Sequence, residues 1–193
     1  DISSFTGNYR FLIFPCINPF GFDHNSRFNA RNVDVNRQFK AGSLSHEANR
    51  VMHVLGRKDW KFDFAIDLHE TDPDYIGEGF TQKDNPKDFY MWEVCPDKKL
   101  RIGDKVVSEV EKMATICKWN RVYNDVNRDG VIWYPEGCGN QVYSENTTLE
   151  GFAAGKYTPQ FFTLETPCGW PMVKRINVHL TALRTILELK QSV

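Results

Sequence analysis

Short apolar runs that end in polar chemistry, alternating with helical stripes, constrain this chain more than any other feature. Tyr9 to Pro15, Phe62 to Leu68 and Phe161 to Leu164 are of strand length and bounded by polar residues or Pro, which is how interior strands read. Ser45 to Gly56 reads as a helix, with Ala48, Val51, Met52 and Leu55 on one stripe, Ser and Gly residues ahead of it and Gly56 placed to cap its end. Ile102 to Trp119 repeats the pattern through Val106, Val107, Val110, Met113, Ala114 and Cys117. A final helix begun after Pro171 sets Val173, Ile176, Leu180, Leu183 and Leu187 on its apolar face. Strands alternating with helices imply an α/β fold in which a mainly parallel sheet is covered on both faces, as three layers, α/β/α.

The composition fits a single domain over residues 1–193. With 41% hydrophobic residues, 14 Phe and 5 Trp, the chain can bury a substantial core. A net charge of −1 offers no general field for nucleic acid or an acidic membrane surface. The basic cluster Lys98-Lys99-Leu100-Arg101 is then a solvated face. No apolar run approaches a membrane span, and the N-terminus lacks the pattern of a signal peptide. Five cysteines, odd in number and without a C-x-x-C pair, lean toward a reducing, cytoplasmic compartment. Cys16, at the end of a run read as a buried strand, is expected to be a small core hydrophobe.

Polar residues cluster at the strand ends. Directly after the first run, Asn18 to Phe39 (NPFGFDHNSRFNARNVDVNRQF) places Arg27, Asn36 and Arg37 on a polar loop. Two guanidiniums and an amide can clamp a carboxylate or a carbonyl oxygen gaining charge, although an Arg-rich solvated loop reads the same way. His69 follows the second strand at its carboxyl end, where open α/β sheets build their sites. Glu165 ends the third. Asp67 is read as facing away from His69 and therefore as structural. Tyr75 to Pro96, rich in Asp, Pro, Gly and aromatics, reads as a long irregular segment over the site.

The motifs N-P-x-G-F, R-x-N, V-D-x-N-R, D-x-H at a strand end and a late apolar strand ending in Glu occur here in that order. Taken together they resemble the zinc carboxypeptidase superfamily, which also holds the aspartoacylase and succinylglutamate desuccinylase branch. The resemblance covers nearly the whole chain and implies a zinc-dependent metallopeptidase with that family's sheet. It places His69 on the third zinc ligand, Arg27 on the arginine that polarises the scissile carbonyl, Asn36 and Arg37 on the pair that grips the terminal carboxylate, and Glu165 on the general base. Tyr143 falls where the family's tyrosine closes over substrate, though Tyr134 and Tyr157 flank the same region.

One departure stands out. The family's first two zinc ligands come from H-x-x-E, and no histidine here is followed by Glu three positions on. In the family this motif precedes the N-P-x-G strand by several tens of residues. The expectation is therefore that the N-terminal part of the domain is missing and that both remaining ligands lie upstream of residue 1; a metal-free relative is the alternative.

Asp125 to Glu136 (DVNRDGVIWYPE) matches a calcium loop with Asp125, Asn127, Asp129 and Glu136 as ligands. An Asx-rich turn between extended segments is the competing reading. For function, a carboxypeptidase hydrolysing the C-terminal peptide bond is the first expectation. A deacylase of the aspartoacylase kind would turn the same clamp on a small N-acyl amino acid, as the TLEG and TLETP segments suggest. A binding module that has lost its metal is the third. Glu150 falls near the family's specificity-pocket residue, or simply sits in the first turn of a helix capped by Thr147 or Thr148.

Overall fold

The structure, a computed structural model, describes residues 3–134 and 147–191. Its helices are α1 (Pro19–His24), α2 (His46–Gly56), α3 (Gly103–Glu111), α4 (Leu149–Ala153) and α5 (Met172–Gln191). Its strands are β1 (Ala65–Thr71), β2 (Tyr90–Val94), β3 (Arg121–Val122), β4 (Asp125–Val126), β5 (Val131–Tyr134) and β6 (Phe161–Pro167). The described residues fall into two compact units, one of residues 3–62 and 147–157, the other of residues 63–134 and 158–191.

The second unit carries the sheet. Its order is β1-β6-β2-β5, with β1 parallel to β6, β2 parallel to β5, and β2 antiparallel to β6, so the α/β fold has the expected mainly parallel, mixed sheet. β2 and β6 are buried throughout. Because successive side chains alternate between faces, Met91, Phe162 and Leu164 share one face and pack on Val106, Val107 and Val110 of α3 and Val178, Ala182 and Ile186 of α5. The fully buried Glu93 ties α3 to the sheet. Its carboxylate accepts from the backbone of Ile102 and Gly103 at 2.9 Å each, from Trp133 Nε1 and from Gln160 Nε2. A carboxylate from β2 thus caps a helix whose N-cap residue, Ile102, cannot.

The first unit is built around Val35, Phe39 and the α2 residues Ala48, Val51 and Leu55. Ser45 caps α2 through Ala48 N. The N-P-x-G motif is also structural. Asn18 accepts from Gly21 N and opens α1 with Pro19 in its first turn, while a Cβ on Gly21 would come within 2.4 Å of Ser26 O.

Several expectations change. Tyr9 to Pro15 forms no strand: Leu12 and Phe14 pack on the first unit's core, but the segment pairs with no strand among the described residues. Alternation marks a one-sided surface, and a strand also needs an edge to pair with. Cys16 is accordingly exposed. The segment read as irregular contains β2, a central strand disguised by its buried Glu93. α3 ends at Glu111, and beyond it Ala114, Ile116 and Cys117 remain buried as irregular chain, with Ile116 bridged to Phe89. Gly56 closes α2 as its last residue, the cap position falling to Arg57. α5 buries Val178, Ala182, Thr185, Ile186 and Leu187, whereas Val173 and Leu180 are 68% and 49% exposed. The buried positions, mixed in size, are those turned toward α3 and β6, a face offset from the stripe read in the sequence. Among the described residues, no helix is long and apolar enough to cross a membrane.

Candidate active site

β1 and β6 each extend beyond the predicted ends, so His69 and Glu165 lie within strands. They are register partners in the parallel pair. Their side chains share a face, with His69 Nδ1 4.0 Å from Glu165 Oε1. His69 Nε2 is 2.9 Å from Asp67 Oδ2. The expectation that Asp67 faces away from His69 is thereby corrected, since residues two apart on a strand point the same way. A carboxylate only accepts, so Nε2 carries a proton in this contact, and whenever the ring is neutral, as a metal ligand must be, Nδ1 is the nitrogen that presents the lone pair.

That arrangement suits a metal ligand, because ligating histidines characteristically donate their other N–H to a carboxylate. His69 with Asp67 behind it fits one position of a metal centre. Among the described residues no group of three His, Cys, Asp or Glu side chains is arranged to hold a metal ion. Glu165 is held as well, for its Oε2 accepts from Thr71 Oγ1 at 2.9 Å, and Thr71 lies 3.0 Å from the Tyr90 hydroxyl. Behind β1 and β6, His179 Nε2 is 3.0 Å from Thr166 Oγ1, and burial first, then the charges of His69 and Arg175, push its pKa down to about 4.

In the first unit, the structure brings Arg27, Asn36 and Arg37 together through Asp34, the acidic residue of the V-D-x-N-R motif. Asp34 Oδ2 accepts from Arg27 Nε and pairs with Nη2, both at 2.7 Å, while Asp34 Oδ1 caps the 3-10 turn Val35–Arg37 through Asn36 N at 3.0 Å. Arg37 Nη1 donates to Asn36 O at 2.9 Å. Asn36 Oδ1 accepts from Leu149 N at 2.9 Å, at the start of α4. Asn29, of the R-x-N motif, accepts from Arg31 N and Val33 N and donates to Glu47, which fixes the loop between the arginines. The signal available in sequence was the Asp one residue before a short V-N-R turn, the position that caps helical starts.

Thr148 caps α4, and Glu150 lies buried in its first turn, as the plainer of its two readings holds. Tyr143 and Glu136 lie outside the described residues. Of the residues read as a calcium loop, Asp125, Asn127 and Asp129 are described. Asp125 is buried in β4 and accepts from Trp92 Nε1 at 3.0 Å. Asn127 donates to Cys117 O and Trp119 O and accepts from Gly130 N, while exposed Asp129 lies 3.7 Å from Lys118. Asn127 closes a turn to Gly130, as in the competing reading of this segment, while Asp125 and Asp129 each face a protein partner. Gly130, at φ +97°, is required there, since a Cβ would fall 2.3 Å from Ile116.

A family model described as a protein of unknown function, DUF2817, matches residues 4–73. No curated protein matches the chain. Among solved structures, one from Shewanella amazonensis is similar at 21% identity and a TM-score of 0.68, covering 91% of this chain and 62% of its own. A second, from Shewanella baltica, has 17% identity and a TM-score of 0.66, with 91% and 61% covered. A third, from Shewanella denitrificans, has 18% identity and a TM-score of 0.64, with 89% and 57% covered. All three are named, provisionally, as metallopeptidases. The chain spans about three fifths of the length of these structures, and at such identities what they share with it is the α/β fold.

Proposed function

We propose that these residues belong to a zinc-dependent hydrolase that cleaves the C-terminal peptide bond of its substrate, with His69 as a metal ligand and Glu165 as the general base. The observation that carries this reading is the pairing of His69 and Glu165 across β1 and β6, with Asp67 holding the far nitrogen of the imidazole. The metallopeptidase names of the solved structures with this fold support it.

Zinc, when bound, supplies a water whose pKa is lowered toward neutrality. Glu165 would take the proton of that water and pass it to the leaving nitrogen. Arg27, oriented by Asp34, would stabilise the oxyanion, and Asn36 with Arg37 would grip the free carboxylate of the peptide. Tyr143 would close over the substrate. The remaining metal donors are expected outside the described residues.

Glu165→Gln preserves shape and removes the proton acceptor. It should lower kcat on a peptide with a free C-terminus by about 10² to 10⁴ while zinc and substrate still bind. Near-normal kcat would show that Glu165 is not the base. Turnover of N-acyl amino acids in place of peptides would assign the same residues to a deacylase.

A further inference from the structure

Glu165 is bonded from one neighbouring strand and, through that bond, linked to the other. From β1, Thr71 Oγ1 donates to Glu165 Oε2 at 2.9 Å. From β2, Tyr90 stands opposite Glu165 in the antiparallel register, its hydroxyl 3.0 Å from Thr71 Oγ1. A threonine hydroxyl has one proton. Because Thr71 gives that proton to Glu165, the proton shared between Thr71 and Tyr90 is the one on Tyr90. The chain of donors therefore runs one way, from Tyr90 through Thr71 to Glu165. All three side chains are buried, so each bond is costly to leave unmade. Tyr90 keeps its proton, since burial and then the charge of Glu165 raise its phenol well above the usual value.

The period of two along β1 gives this chain its place. Asp67, His69 and Thr71 share one face, where Asp67 holds the imidazole and Thr71 reaches across to the carboxylate. A glutamate on a strand has three rotatable bonds between backbone and carboxylate. A single fixed oxygen removes most of that freedom, and a base acts efficiently only when its accepting atom is held in place.

We infer that Thr71 and Tyr90 are positioning residues that hold Oε2 of Glu165 and so present Oε1, the oxygen 4.0 Å from His69 Nδ1, as the proton acceptor. This rests on the reading of Glu165 as the base. A purely structural network would use the same hydrogen bonds without any bearing on turnover, so the test needs one readout of the bonds and one of the reaction.

The first readout is proton NMR of the chain itself. A slowly exchanging Thr71 hydroxyl resonance is expected in the wild type, moving upfield in Glu165→Gln, where the acceptor loses its charge, and surviving in Tyr90→Phe. A Thr71 hydroxyl indifferent to Glu165→Gln would overturn the donor direction. The second readout is peptide hydrolysis by the holoenzyme. Thr71→Val should lower kcat about tenfold or more with KM within about twofold, Tyr90→Phe should lower it less, and Thr71→Ser, which restores the hydroxyl, should recover most of the loss. Wild-type kcat in Thr71→Val beside an inactive Glu165→Gln would overturn the positioning role and leave the base in place. Failure of Thr71→Ser to recover activity would also overturn it. An active Glu165→Gln would instead remove the base assignment on which the inference rests.

Discussion

Asp67 and His69 lie two residues apart on β1, and their side chains meet at 2.9 Å. The contact sets which imidazole nitrogen keeps its proton when the ring is neutral. In the wild type, nitrogen NMR of His69 should therefore show the proton on Nε2. Asp67→Ala should give a mixture of the two neutral forms and weaken zinc in the holoenzyme about 10- to 100-fold, as loss of such a carboxylate partner does elsewhere. An unchanged tautomer in Asp67→Ala would mean that the pair does not set the ring.

Zinc should bind the 193-residue chain weakly. A hydrolytic zinc site takes three protein donors, and no group of three His, Cys, Asp or Glu among the described residues is arranged to hold a metal ion. Titration with zinc should show shallow binding that His69→Ala abolishes. Tight stoichiometric zinc would place the remaining donors within these 193 residues and refute the expectation that they lie upstream.

Arg37 should matter for substrates with a free carboxylate and not for their amides. Its Nη1 is anchored to Asn36 O, and Asp34 fixes the turn that carries both residues. Arg37→Ala should weaken a peptide with a free C-terminus by roughly 2 to 5 kcal/mol and leave the C-terminal amide almost unaffected. Equal losses on both substrates would make Arg37 a structural residue of the loop.

The legible and illegible parts of this chain divide along a physical line. His69 and Glu165 could be placed because apolar runs ending in a single polar residue mark strands that deliver chemistry, and the structure sets them in register. The face of Asp67 is carried by the two-residue strand period alone, which puts it with His69 and needs no hidden feature of the fold. β2 could not be read because Glu93 breaks its apolar run, and only long-range contacts to Ile102, Gly103 and Gln160 explain a carboxylate there. Arg27, Asn36 and Arg37 were legible as residue types, and Asp34 as a cap for the turn that follows it, but its second bond, to Arg27 seven residues back, shows only in three dimensions. The helix after Glu111 was overextended because buried irregular chain keeps an apolar pattern of its own.

Acid should destabilise the protein through His179. Its pKa falls from 6.5 to about 4 in the fold, first because burial disfavours the charged ring and next because of the charge of His69. The unfolded chain therefore takes up a proton that the folded one refuses, and stability rises with pH wherever the unfolded state binds more protons. The contribution is complete above about pH 6.5 and is lost as pH falls toward about 4. Between pH 7 and pH 4.5 it amounts to about 2 to 3 kcal/mol. His179→Gln can still hydrogen-bond to Thr166 but cannot titrate, so its urea midpoint should fall less steeply over that interval than that of the wild type. Parallel pH dependence in the two proteins would show that other groups, not His179, carry the acid sensitivity.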